Sequence, residues 1–262
     1  MDFLDRVEVL ILTRNEEANL ARTLDAIRAF PRVVVLDSGS TDDTREIAAR
    51  YSNVRVCSRA FDRHADQWNF GLRACGITAD WVLALDADYV LTASMVQEIS
   101  SLDPADSVNG YWAKFRYCIA GKPLSASLYP PVMILYRREG ARYVQDGHTQ
   151  RVVVNGELRT LHGEVLHDDR KPFSAWLASQ DRYARLECRM LRSSSWASLR
   201  WQDKLRRLIL ITPWLVPLYC LTVRRGLLDG SPGLFYAMQR GIAEAMLSVR
   251  LLQAGFSRRK DT

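Results

Sequence analysis

The sequence lacks the usual marks of several protein classes. Its five cysteines form no CxxC pair and have no zinc-type His spacing, so a zinc module is excluded. Reduced thiols, no disulfide and a cytoplasmic setting are expected. Asp2 and Asp5 stand where a secretory signal would be basic, and a strand pattern begins at Val7, so export is not expected. No uncharged run reaches the roughly 20 residues that span a bilayer. There is no internal repeat or low-complexity tract, and no glycine-rich loop follows the first strand pattern, which argues against a nucleotidyltransferase.

What is present is an ordinary globular composition, 48% hydrophobic and 25% charged, with a lopsided charge. Residues 1–169 hold 19 basic and 24 acidic side chains, net −5, whereas residues 170–262 hold 17 and 6, net +11. The basic third points to an anionic partner. Its basic residues lie on helix patterns beside apolar runs, not interleaved with aromatics on a sheet, so a membrane surface is favoured over nucleic acid.

Val7–Thr13, 32–37, 53–58 and 81–85 read as strands, with helix patterns between the first three (Leu20, Leu24 and Ile27; then Ile47 and Tyr51). Ser40-Thr41-Asp42-Asp43 has the form of a capping box for the second helix. Near-continuous apolar strands alternating with helices predict an α/β fold with a mostly parallel sheet, its ligands at the strands' carboxyl ends. Thr13, Asp37 and Asp86 fall there. Beyond Gly110 the pattern turns to an antiparallel extension, with a hairpin expected at Asn155-Gly156. Helices follow from 173 to about 191 and from 232 to about 252. This divides the chain into a catalytic domain, 1–170, and a helical region, 171–262. Residues 208–223 are uncharged, carry Pro213 and Pro217 and have basic flanks, which fits an interfacial segment with Trp214 and Tyr219 at the boundary. A buried core helix or an oligomer contact is the alternative, and the apolar C-terminal stripe allows a homodimer.

Asp86-Ala87-Asp88 directly follows a buried strand and offers hard oxygen ligands for a divalent ion with bridging phosphates. Together, Thr13-Arg14-Asn15-Glu16-Glu17, Asp37-Ser38-Gly39-Ser40-Thr41-Asp42 and Leu85-Asp86-Ala87-Asp88, in this order and spacing, resemble family 2 glycosyltransferases of the GT-A fold. Residues 143–190 more loosely resemble members that build bacterial lipopolysaccharide core and other surface glycans.

The resemblance implies a UDP-sugar donor, glucose by analogy, and a glycan or glycolipid acceptor at the cytoplasmic face of the inner membrane. It also implies that Thr13, Glu16 and Asp37 form the base pocket, that Asp86 lies near the ribose, and that Asp88 holds Mn²⁺ or Mg²⁺. His167 is the expected further metal ligand. Arg63 and Asn69, with Gln67 behind them, sit where relatives touch the nucleotide; a helix start with a solvated face is the alternative. An inverting reaction needs a base, for which Asp146, Asp168 and Asp169 are candidates, Asp146 favoured. His148 is followed by Thr149 where relatives have glutamate, so the motif does not fix the base. Trp112, Tyr129 and Trp176 are sugar-stacking or core aromatics. A non-catalytic nucleotide- or nucleic-acid-binding module is the competing class.

Overall fold

The computed structural model describes residues 2–146 and 149–258. The chain divides into two compact units, residues 1–121 with 129–170, and residues 122–128 with 171–262.

The first unit runs β1 (Val7–Thr13), α1 (Leu20–Ala26), β2 (Val33–Asp37), α2 (Thr44–Ala49), β3 (Val54–Ser58), α3 (His64–Ala74), β4 (Trp81–Asp86), β5 (Tyr89–Leu91), α4 (Ala93–Ser100) and β6 (Val108–Ile119). After β7 (Lys122–Pro123), which belongs to the second unit, come β8 (Val132–Arg137), β9 (Arg142–Asp146), β10 (Thr149–Val153) and β11 (Glu157–His167). The sheet order is β3-β2-β1-β4-β8-β6-β11-β5. Strands β3, β2, β1 and β4 are mutually parallel. β8 is antiparallel to β4 and β6, and β11 is parallel to β6.

The apolar runs form these central strands because both faces are covered. Val7, Val9, Ile11, Val35, Leu83 and Leu85 point to one layer with Leu20 and Leu24 of α1 and Ile27 just after it. Leu10, Val34, Leu36, Val82 and Ala84 point to the other with Trp68 and Leu72 of α3. Alternate side chains of one strand thus serve opposite cores. Gly71 lets α3 lie on β1: a Cβ there would come within 2.7 Å of Leu10 Cδ2.

Three sequence expectations are corrected. Asn155-Gly156 does not close a hairpin: β10 pairs with β9, while β11 departs into the main sheet beside β6. Gly156 takes φ +110°, and Asn109 on β6 donates to the Asn155 carbonyl at 2.6 Å, so the turn is held by the neighbouring strand edge. Ser40 does not cap α2, which starts at Thr44 with Asp42 accepting from the Thr44 N–H at 3.1 Å. Finally, Cys57 at the end of β3 and Cys75 at the end of α3 are disulfide-bonded, with Cα atoms 6.0 Å apart. Strand and helix bring them together across 18 residues, which linear spacing does not reveal; Cys118, Cys188 and Cys220 are free and buried. The disulfide removes the cysteine-based argument for a reducing compartment.

The second unit is helical: α5 (Phe173–Ser193), α6 (Trp201–Arg207), α7 (Thr212–Leu221), a 3₁₀ turn (Gly226–Asp229) and α8 (Ser231–Arg258). Arg206 sits among Asp203, Glu187 and Glu244, its bidentate hold on Glu244 at 3.0–3.3 Å. Gly241 of α8 lets α7 approach closely, since a Cβ would lie 2.8 Å from Pro217 Cγ. Among the described residues no helix is long and apolar enough to cross a membrane.

Candidate active site

Three loops meet at the carboxyl ends of β1, β2 and β4. The first two are laced together. The backbone N–H of Asn15 donates to Ser40 Oγ at 2.9 Å, that of Glu16 to Thr44 Oγ1 at 2.7 Å, and that of Glu17 to Asp42 at 3.1 Å. In return the Thr41 N–H donates to Asn15 Oδ1 at 2.9 Å. Asn15 adopts φ +55°, a left-handed conformation that asparagine tolerates better than most residues. Gly39, at φ +81°, turns the second loop back over Asp37.

Asp37 is 1% exposed. Its Oδ1 accepts from Thr13 Oγ1 at 3.1 Å and from Ser40 Oγ, and its Oδ2 from the N–H groups of Gly39 and Ser40 at 3.1 and 3.0 Å. These bonds occupy the roughly four lone-pair sites of a carboxylate. A further donor reaching Asp37 would have to replace one of them, most simply the Ser40 hydroxyl, which can rotate. Gln67 braces this loop from α3, donating to Ser38 Oγ at 3.0 Å and accepting from Arg59 at 2.8 Å.

Asp86 ends β4, and the Ala87 carbonyl of the third loop is tied to α1 by Thr23 Oγ1 at 2.7 Å. Asp88 meets His167 because β11 is antiparallel to β5 with His167 opposite Tyr89, a pairing continued by the Asp168 N–H to the Asp88 carbonyl at 3.0 Å. His167 Nε2 lies 3.0 Å from Asp88 Oδ2, and the two side chains are 17% and 16% exposed. Burial pulls the imidazole pKa down, but the Asp88 carboxylate, helped by Asp86 and Asp169, outweighs it and holds the pKa above the ordinary histidine value. Rings of Tyr117, Tyr129 and Tyr89 surround His167 with centroids at 4.8, 4.9 and 5.3 Å. The Tyr89 hydroxyl contacts that of Tyr129, and burial, with Asp86 next in weight, pushes its pKa well up, so Tyr89 stays neutral.

The other candidates separate by environment. Asp168 is buried, both its oxygens held by Arg170 Nε at 2.8 and 2.9 Å, and it lies 3.5 Å from Arg22, forming a structural ion pair. Asp169 is half-buried and accepts from Asn19 Nδ2 at 2.9 Å. Asp146 ends β9, but its side chain, like Gly147 and His148, lies outside those described. Arg63 is exposed and paired with Asp66 at 2.7 Å. Asn69 has a structural role: its amide donates to the Tyr143 carbonyl at 2.9 Å and accepts from the Tyr143 N–H at 2.8 Å, pinning α3 to β9.

Asn19 carries no motif label, yet it joins the site's two halves. Only 1% exposed, it donates to Glu16 at 2.8 Å and to Asp169, and accepts from Arg22 at 2.9 Å and from the Arg170 N–H at 2.8 Å. It is the N-cap of α1 but makes no cap bond with its side chain; the only sequence hint is an asparagine three residues after Glu16.

Asp88 and His167 form a two-donor set, carboxylate and imidazole, whose chemistry would suit a divalent ion. Among the described residues no group of three or more such side chains gathers. His167 Nδ1 is buried without a hydrogen-bond partner, so Nε2, the nitrogen facing Asp88, is the one placed to ligate.

A mostly parallel sheet thus carries acidic loops at its carboxyl edge with an Asp-His pair beside them, the arrangement expected of a glycosyltransferase. Residues 8–147 match the glycosyl transferase family 2 model, and the chain belongs to that family. An uncharacterized glycosyltransferase of Rickettsia typhi is 31% identical over 111 residues, covering 42% of this chain and 37% of that protein, so the chain spans under two fifths of that relative's length. The lipopolysaccharide core biosynthesis glycosyltransferase LpsC of Rhizobium meliloti is 27% identical over 190 residues, 69% of this chain and 70% of LpsC. Among solved structures, glucosyl-3-phosphoglycerate synthase from Mycobacterium tuberculosis with Mn²⁺, UDP and phosphoglyceric acid superposes with TM-score 0.49 at 17% identity, over 71% of this chain and 77% of that one.

Proposed function

We propose that this glycosyltransferase is inverting and metal-dependent, moving a hexose, glucose by analogy, from a UDP-sugar to a membrane-held glycan of the lipopolysaccharide-core type. The acceptor follows the name of LpsC. The setting we propose is peripheral, on the cytoplasmic face of the inner membrane.

The observation that carries the reading is the Asp88–His167 contact at 3.0 Å beside Asp86 and the laced loops. Thr13, Glu16 and Asp37 hold the base, Asp86 faces the ribose, and Arg63 can swing from Asp66 toward phosphate. Asp88 and His167 would hold Mn²⁺ or Mg²⁺, which when bound neutralises charge on the departing diphosphate. The base we propose is Asp146, with Asp169 the competing carboxylate. It takes the acceptor hydroxyl's proton as that oxygen bonds to the anomeric carbon and the bond from that carbon to the diphosphate breaks on the opposite face.

The test is UDP release from a panel of UDP-sugars with membrane extract as acceptor, with Mn²⁺ or EDTA, for wild type, Asp88→Ala, Asp146→Asn and Asp169→Asn. Turnover of one donor, lost with EDTA and reduced at least about a hundredfold in Asp88→Ala, supports the reading. UDP binding without turnover under every condition would replace it with a non-catalytic nucleotide-binding module. Whichever asparagine variant abolishes turnover while still binding UDP identifies the base.

A further inference from the structure

The helical unit hides its acids and displays its bases. Its five described acids are all engaged internally: Glu187, Asp203 and Glu244 around Arg206, Asp229 accepting from the N–H groups of Ser125 and Ala126, and Asp181 held by Arg185 and Arg250. Four of them are buried. The exposed charge left over is positive, including Arg189, Arg192, Arg224 and Arg225.

Within this basic surface lies an apolar ledge. On α7, Thr212 and Cys220 are buried, and Pro217 lies on the Gly241 side toward α8. The opposite stripe, Ile211, Trp214, Leu215 and Leu218, is exposed, Trp214 to 81%. The spacing i, i+3, i+4, i+7 puts these four side chains on one helical face. Leu227 and Leu228 of the 3₁₀ turn, 65% and 78% exposed, add to the apolar surface. A contiguous patch of this kind in water normally has a partner.

We propose that the outer face of α7, with the adjoining 3₁₀ turn, lies in the plane of an anionic phospholipid bilayer, its side chains at the headgroup–acyl boundary and the flanking arginines on lipid phosphates. Charge complementarity selects this occupant. A second copy of the chain would bring the same basic rim and repel it, and a nucleic acid would leave the leucines uncovered. At ten residues α7 is about 15 Å long, half the roughly 30 Å hydrocarbon core, so it lies flat and does not cross. Trp214 is suited to the boundary region, where its ring is solvated on one side. The inference deepens the proposed membrane-held acceptor by naming the surface that meets the membrane.

The experiment is flotation of the full chain with phosphatidylcholine vesicles, with or without about one third phosphatidylglycerol, together with tryptophan emission. Wild type is expected to float with the anionic vesicles with a blue shift, and to bind neutral vesicles roughly tenfold more weakly. W214S/L218E should lose roughly tenfold of the anionic binding with unchanged circular dichroism. L228S, at a separate exposed position, should lose a smaller part. Arg224→Gln with Arg225→Gln should lower binding and its salt dependence together. Wild type that stays in solution with every vesicle overturns the proposal, as does a W214S/L218E variant that floats like wild type. So does a dimer that W214S/L218E splits in the absence of vesicle binding. UDP release with membrane extract as acceptor and no added vesicles is a separate measurement: its failure would sink the transferase reading and leave the flotation result standing.

Discussion

Asn19 offers the sharpest test of how the site is held together. Its amide orientation is fixed by its surroundings, since two carboxylates take its N–H groups while a guanidinium and a backbone N–H take its oxygen. Asn19→Ala removes four hydrogen bonds, three of them to charged groups. Bonds to charged partners contribute about 1.5–3 kcal/mol each, and an orphaned buried group costs about 1–3 kcal/mol. The four share one amide and are not additive, so a loss of about 3–5 kcal/mol is expected. Asn19→Asp is isosteric but replaces the donor that faces Glu16 and Asp169 with a third carboxylate oxygen. At contact distance and an effective dielectric near 20, like-charge repulsion is worth several kcal/mol, partly relieved by proton uptake. Asn19→Asp should therefore be less stable than Asn19→Ala by about 2 kcal/mol at neutral pH, although it removes fewer atoms. Urea unfolding followed by tryptophan fluorescence gives both values. An Asn19→Asp protein as stable as Asn19→Ala would refute the argument that this residue works as a donor between two acids.

Three further outcomes follow from the geometry. Asp42 is partly buried, which opposes ionisation, but hydrogen bonds from the Thr44 hydroxyl and from the Glu17 and Thr44 N–H groups win and hold its pKa below the ordinary value. Its contribution to stability is thus complete above the unfolded carboxylate pKa near 4 and is lost as pH falls through the lower folded value. Melting temperature against pH should fall more steeply for wild type than for Asp42→Asn in that acid range; equal slopes would count against the loop-lacing role. Cys118 has its pKa pushed up to about 11 by burial, chiefly, with Asp168 adding, so at pH 8 only about one thiol in a thousand is ionised. Mass spectrometry after iodoacetamide treatment should find it unmodified in native protein and modified in urea. Replacing Cys57 and Cys75 with serine should cost roughly 3 kcal/mol under oxidising conditions, as closure of an 18-residue separation predicts, and make the urea midpoint insensitive to dithiothreitol.

The parallel core was legible in the sequence because its cause is local. A strand covered on both faces must be apolar throughout, and Val7–Thr13 and Val33–Asp37 have no other reason to be so. Their carboxyl ends identified Thr13, Asp37 and Asp86 as sheet-edge residues. The Asp88–His167 meeting was anticipated only through family resemblance, since it depends on β11 pairing with β5 across the chain. Asn155-Gly156 correctly signalled a bend but carried no information about which strand would lie alongside. The bracing role of Asn69 was hidden for a related reason: its partner, Tyr143, is 74 residues away. Asn19 was missed because a residue at a helix start has an ordinary local explanation that the structure does not use.

The pairing of β11 with β5 has a consequence for synthesis. Everything up to β10 can emerge and the laced loops can close on themselves, but His167 and Asp169 come from the last strand of the unit and the residues just after it. Asp88 and Asn19 then wait for partners 79 and 150 residues downstream. Contacts of such separation form late because loop closure must come first. On the ribosome, where chains lengthen at about 5–20 residues per second, Asp88 waits several seconds for His167. Whatever requires Asp88 and His167 together is withheld until the last strand of the unit is in place.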